Sequence, residues 1–142
     1  MSAPAVIFVC GRNAVRSPMA EALYRRRAGP EAKSSSCGIE PAGVPDGYMI
    51  TVMAELGADL SDFECRDLSD AAGDPADLVV CLSRDVDEEA RAFAKTRGAD
   101  YALWPIEDPT QAGGDRFLKL AAYRAARDAI AARIEALRAE SA

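Results

Sequence analysis

The chain contains no histidine. That absence removes the Ser-His and Cys-His catalytic pairs and most transition-metal sites, because imidazole is the usual neutral-pH base and the commonest metal ligand. Cysteines are few and scattered, at Cys10, Cys37, Cys65 and Cys81, without a Cys-x-x-Cys pair. Such spacing supports neither a zinc site nor a disulfide framework. No stretch approaches the ~20 consecutive apolar residues of a transmembrane helix, and no basic segment precedes the first apolar run, so a secretory leader is not expected. A cytoplasmic protein without a membrane partner is the expectation. Positive charge is also in deficit: 17 Lys and Arg against 23 Asp and Glu leave a formal charge of −6. That balance disfavours nucleic acid as a partner. The only basic run, Arg25-Arg26-Arg27, reads as the solvated end of a helix, with a docking patch for an acidic or phosphorylated partner as the alternative.

What is present fits one domain spanning residues 1–142, since 49% of the residues are apolar and can bury a core. Strand patterns fall at residues 5–9, 34–38, 76–82 and 101–106. The second is polar for a strand, whereas Leu78-Val79-Val80-Cys81 has the continuous apolar character of a central parallel strand. Helical spacing links Ala20, Leu23, Tyr24 and Arg27 over residues 17–28, stopped by Gly29-Pro30. Met49, Val52, Met53 and Leu56 form a second amphipathic stripe ending at Gly57. A third helix, with Asp85–Glu88 as its cap, carries Val86, Ala90, Phe93 and Ala94 on one face. A long last helix to about residue 138 carries Leu120, Tyr123, Ile130, Ile134 and Leu137. Strands alternating with helices predict an α/β fold with a parallel sheet and right-handed crossovers. Ligands in such sheets bind beyond the carboxyl ends of the strands.

One stretch concentrates chemistry at such an end. A β-branched run finishes in Cys10, and six residues later Arg16 and Ser17 precede a helix opened by Pro18. The intervening turn can direct successive backbone N–H groups inward as an anion nest, reinforced by the positive end of the helix. Arg16 adds a planar fork suited to two oxygens of a tetrahedral oxyanion. The helix end and the guanidinium both favour the thiolate form of a cysteine placed there, and a thiolate is a nucleophile toward phosphorus. Displacing an alkoxide also needs a proton donor. Asp108, in Glu107-Asp108-Pro109 after the last strand, is one candidate, although Asp-Pro on its own reads first as a turn starter.

The segment Val9-Cys10-Gly11-Arg12-Asn13-Ala14-Val15-Arg16-Ser17-Pro18-Met19-Ala20-Glu21-Ala22 resembles the active-site signature of the low-molecular-weight protein tyrosine phosphatases, a family that includes thioredoxin-coupled arsenate reductases. The resemblance extends over nearly the whole chain. It implies a three-layer, doubly wound, four-stranded parallel sheet with helices on both faces. It implies a cysteine-dependent phosphomonoesterase working through a cysteinyl phosphate, with a phosphorylated protein or small phosphomonoester as substrate and neither a metal nor an organic cofactor. Cys10 would be the nucleophile, Arg16 the oxyanion clamp and Asp108 the general acid, with Glu107 the fallback. Gly11, Arg12, Asn13, Ala14, Val15 and Ser17 would line the substrate oxygens. Ser17 would also hydrogen-bond the thiolate, and Asn13, in a left-handed conformation, would be braced by Ser36.

Several positions depart from the family pattern. Arg12 replaces a customary glycine, so it is either strained at positive φ or sets a second positive charge at the mouth. Gly11 and Ala14 are small, Thr110 and Gln111 stand where tyrosine-specific members carry aromatics, and residues 40–45 supply no aromatic wall. Val15 occupies the position of a protective second cysteine. Ser83 and Ala90 align with the resolving cysteines of the arsenate reductases and Cys81 reads as core, so Cys10 is expected to have no dedicated protecting thiol; Cys37 is the one thiol that could reach it, provided their Cα atoms lie within about 7 Å. Two rival readings follow: an arsenate reductase on the same cradle, and a non-enzymatic regulatory protein that binds phosphate or a phosphoprotein.

Overall fold

The computed structural model describes residues 3–141. Four parallel strands, β1 (Val6–Cys10), β2 (Ser34–Gly38), β3 (Leu78–Cys81) and β4 (Asp100–Leu103), lie in the order β2-β1-β3-β4. They alternate with helices α1 (Arg16–Ala28), α2 (Gly47–Ala54), α3 (Asp87–Thr96) and α4 (Arg116–Ser141). This is the doubly wound α/β sheet expected from the alternation.

The central strand β1 is buried along its whole length, and its pleat divides the core in two. Val6, Phe8 and Cys10 face a cluster built from Met19 and Tyr24 of α1, Met49, Val52 and Met53 of α2, and Ile130 and Ile134 of α4. Ile7 and Val9 face the other way, onto Cys37, Val79 and Cys81 and the alanines Ala90 and Ala94 of α3. Helices therefore cover both faces. Among the described residues, no helix is long and apolar enough to cross a membrane.

Local chemistry accounts for the ends of the elements. Pro18 lies in the first turn of α1, where an N–H has no intrahelical acceptor to lose. Gly29, at φ 102°, closes that helix by donating its N–H to Arg25 O. Asp46 caps α2, its carboxylate accepting from the N–H groups of Tyr48 and Met49 at 2.8 and 3.2 Å. The fourth strand ends sooner than the pattern suggested, at Leu103. Its pairing continues through Trp104 N–H to Cys81 O at 2.8 Å and Ile106 N–H to Leu82 O at 3.2 Å, interrupted at Pro105, which has no N–H to give.

One expectation needs correction. Asp85–Glu88 does not cap α3: a 3-10 turn (Arg84–Val86) leads into the helix, no side chain caps it, and the Asp87 carboxylate accepts from the Tyr101 hydroxyl. Arg27, at the solvated end of α1, is exposed and its guanidinium pairs with Glu135 on α4. The stripe of α4 also contains a charge that periodicity hides. Arg127 is 8% exposed and donates to Val52 O at 2.8 Å and to Glu55 at 2.9 Å. Hydrogen bonds from Arg124 and Arg127 hold the Glu55 carboxyl down at about 2. The basic run is engaged within the chain: Arg25 pairs with Glu21 and Ser34 O, Arg26 donates to Leu56 O, and Arg27 takes Glu135. It is the end of a helix rather than an open docking patch.

Candidate active site

The loop between β1 and α1 is turned with its carbonyls outward. Cys10 O, Gly11 O, Arg12 O and Ala14 O accept from the N–H groups of Ile39, Glu40, Ala42 and Asp46 at 3.3, 2.8, 2.9 and 3.1 Å. Its amides are left without protein acceptors: among the described residues, none takes an N–H from Gly11 through Ser17, and no side chain caps α1. A row of free amides at a helix N-terminus is a concavity shaped for an anion.

Asn13 holds this shape. It is fully buried at φ 52°, a left-handed conformation that asparagine tolerates. Its Nδ2 donates to Ser17 Oγ at 2.8 Å and to Ser36 Oγ at 3.0 Å, while its Oδ1 accepts from Arg66 N–H at 2.8 Å. Ser36 passes its own hydroxyl proton to Glu21 at 2.6 Å. The loop backbone also crosses β2 very closely. A Cβ at Gly38 would sit 2.7 Å from Asn13 N and 2.9 Å from Gly11 O. Gly38, Arg66 and Glu21 escaped the reading of the sequence, since each acts through a backbone approach or a distant hydrogen bond. Asp46 was also missed, although an Asp just before an apolar helical stripe is a cap signal.

At the floor of the concavity, Cys10 Sγ lies 2.9 Å from Ser17 Oγ. Asn13 donates to that oxygen, and its one hydroxyl proton lies between two acceptors, the Cys10 sulfur at 2.9 Å and Cys37 O at 3.4 Å. Arg16 reaches across the rim, donating through Nη1 to Ile106 O at 2.9 Å, with Nη2 3.7 Å from Asp108 Oδ2. The two readings of Asp108 prove compatible. Its Oδ1 accepts from Thr110 N–H at 3.0 Å and Thr110 Oγ1 at 2.7 Å to start the 3-10 turn (Pro109–Gln111), and its Oδ2 faces Arg16. Cys10, Arg12, Arg16, Asp46 and Asp108 line one cavity of about 550 Å³. Glu107 is exposed and lines a neighbouring hollow beside the alanines of α4, not the one that holds Cys10. Arg12 is free of the strain considered above: Asn13 is the only non-glycine residue at positive φ among those described. It sits exposed at the mouth.

The remaining thiols turn away from Cys10 or lie outside its cavity. In the β1–β2 register Cys37 pairs with Val9, so it shares Val9's face of the sheet and points opposite to Cys10. The expectation that Cys37 could reach Cys10 fails on direction rather than distance. Burial pushes its thiol up to about 12. Cys81 is buried in the same layer, its Sγ 3.0 Å from Ser83 O, and burial raises its thiol as well. Cys65 is half-buried against the same layer as Cys10 and outside the cavity; desolvation and then Cys10 raise its thiol, which Arg12 lowers. Val15, Ser83 and Ala90 are all buried. Among the described residues, no three Cys, Asp or Glu side chains converge to hold a metal ion.

Comparison with known proteins agrees with this geometry. Residues 5–141 match the family model described as low molecular weight phosphotyrosine protein phosphatase. An arsenate reductase of Halalkalibacterium halodurans is 31% identical over 135 residues, covering 95% of each chain. The Erwinia amylovora tyrosine phosphatase AmsI superposes with a TM-score of 0.72 at 26% identity, covering 94% of this chain and 92% of that one. An arsenate reductase in its phosphate binding state superposes with a TM-score of 0.76 at 26% identity, covering 97% and 98%. With a four-stranded sheet of the same fold and an anion cradle behind a buried cysteine, the chain belongs to the low-molecular-weight phosphotyrosine protein phosphatase family.

Proposed function

We propose that this protein hydrolyses phosphomonoesters through a cysteinyl phosphate on Cys10. The observation that carries the reading is the convergence of free loop amides, the Cys10–Ser17 contact and the Arg16–Asp108 pair on one cavity. In the first step the Cys10 thiolate forms the S–P bond as the P–O ester bond breaks. The loop amides and Arg16 hold the three non-bridging oxygens, and Asp108, protonated at the Oδ2 that faces Arg16, gives its proton to the departing oxygen. In the second step a water molecule attacks phosphorus while Asp108 takes its proton. The S–P electron pair then returns to Cys10, where the Ser17 hydroxyl stabilises the thiolate. The substrate is a phosphorylated protein or a small phosphomonoester.

Arsenate reduction is the competing activity, favoured by what the curated relatives are named. An intramolecular thiol cascade needs a second sulfur to attack the arsenic-bearing cysteine. By the resemblance, Val15, Ser83 and Ala90 occupy the family's positions for such thiols; Cys37 and Cys81 face the opposite layer, and Cys65, on Cys10's side of the sheet, does not line its cavity. This supports the phosphatase. The discriminating experiment measures release of phosphate from an aryl phosphate beside production of arsenite from arsenate with thioredoxin or dithiothreitol. Phosphate release without thiol-dependent arsenite is expected. Arsenite production without ester hydrolysis would replace the proposal by the reductase.

A further inference from the structure

Resting on the phosphatase reading, we propose that Arg12 selects phosphomonoesters that carry a second anionic group beside the phosphate. The charges lining the cavity are Arg12, Arg16, Asp46 and Asp108. Three of them are engaged. Asp46 accepts from Tyr48 and Met49 N–H on one oxygen and from the Tyr123 hydroxyl, at 2.8 Å, on the other. Asp108 is shared between Thr110 and Arg16, and Arg16 is fixed on Ile106 O. Arg12 alone has no hydrogen-bond or ion-pair partner among the described residues, and it is exposed. Its backbone, by contrast, is fixed: Arg12 O accepts from Ala42 N–H at 2.9 Å, and Asn13 beside it is locked into the buried network.

The guanidinium therefore springs from a rigid point in the cradle itself, two residues after the nucleophile, and apart from its electrostatic influence on the Cys65 thiol it is unengaged. Ala42, Val44, Pro45, Thr110 and Gln111 line the same cavity. No aromatic ring lines the cavity to stack on a phenol, and a cationic leaving group would be repelled. A carboxylate or second phosphate on the leaving group would find a forked donor that no protein group already occupies. Two sources present this chemistry: a phosphorylated residue flanked by an acidic side chain, and a small ester with two anionic groups.

The test uses matched substrates whose members differ in one charge. One pair is 3-carboxyphenyl and 3-carbamoylphenyl phosphate, and the other is a phosphopeptide with Asp or Asn beside the phosphorylated residue. The kcat/KM ratio is taken within each of wild type, Arg12→Gln and Arg12→Glu, so a general effect of substitution on the cradle cancels. Wild type should favour the anionic member by about two- to five-fold, the worth of a partly exposed charge contact. Arg12→Gln should bring the ratio to about one, Arg12→Glu should invert it, and added salt should shrink it. Whichever pair shows the larger ratio identifies the source. A wild-type ratio of one for both pairs, or a ratio indifferent to Arg12→Glu, overturns the proposal. If wild type hydrolyses no ester at all, the phosphatase reading fails separately. The same pairs are then titrated calorimetrically into Cys10→Ser with and without Arg12→Glu, where equal binding of both members overturns the role of Arg12 and a charge preference lost with Arg12→Glu sustains it.

Discussion

The Ser17 hydroxyl lies 2.9 Å from the Cys10 thiol and takes a 2.8 Å hydrogen bond from Asn13 on its other side. The hydroxyl proton has two acceptors within reach, the sulfur and, at 3.4 Å, Cys37 O, and the sulfur is the nearer. A donor to sulfur helps most when sulfur carries full negative charge as the leaving group. Ser17→Ala should therefore slow breakdown of the phosphoenzyme by about 10- to 100-fold, the worth of a hydrogen bond to a charged group. Rapid-quench kinetics with an aryl phosphate should then show a burst of phenolate followed by a slow steady state. Loss of the burst itself, with formation of the intermediate slowed equally, would give Ser17 a different role.

Asp108 keeps one carboxylate oxygen for the turn at Thr110 and presents the other toward Arg16. Asp108→Asn preserves most of the turn but has no proton to transfer. Poor leaving groups such as phenyl phosphate should lose about 10²–10⁴ in kcat, and activated nitrophenyl esters much less. The measurement is kcat across an aryl phosphate series. A loss independent of leaving-group basicity would remove Asp108 from proton transfer.

Gly38 lies on β2, yet it governs the loop after β1. A methyl group there would press on Asn13 N, Arg12 C and Gly11 O, all backbone atoms of the cradle. Gly38→Ala should destabilise the fold by about 1–3 kcal/mol and lower oxyanion affinity out of proportion to that loss. Gly73→Ala, where the added methyl meets open space, is the control and should leave both unchanged. Chemical denaturation and vanadate inhibition, run on both variants, read the two effects. Wild-type inhibition in Gly38→Ala would mean that the loop can retreat without cost.

Oxidation tests the disposition of the thiols. Cys37 and Cys81 point into the opposite layer, and burial raises both thiols. Peroxide should then carry Cys10 past the sulfenic acid to forms that dithiothreitol does not restore. Intact-mass measurement should find added oxygen rather than the loss of two hydrogens. Full recovery through a disulfide from Cys10 to Cys37 or Cys65 would show that the cradle opens far enough to be rescued.

Much of the site was legible because its parts are adjacent in sequence. Cys10, Asn13, Arg16 and Ser17 lie within one turn, and strand-to-helix alternation puts Asp108 at the same rim. Ser36 was placed by resemblance, and its hydrogen bond to Asn13 now gives that placement a physical content. What periodicity could not deliver was anything decided by a long-range approach. Gly38 looks like any strand-end glycine until the loop backbone is laid over it. Arg127 breaks an apolar stripe because its partners Val52 O and Glu55 come from another helix. The supposed cap of α3 failed because Tyr101, on a strand read separately, claims the Asp87 carboxylate. Cys37 looked close to Cys10 in register, and only the alternation of the pleat separates them.

The account stands or falls on Cys10 as the nucleophile. The direct measurement is rapid acid quench of wild type and Cys10→Ser during turnover of an aryl phosphate, followed by intact-mass analysis and peptide mapping. Wild type should carry one phosphoryl group on Cys10, and the serine variant should carry none, turn over nothing and still bind vanadate. Phosphate on another residue, or equal turnover by both proteins, would contradict it.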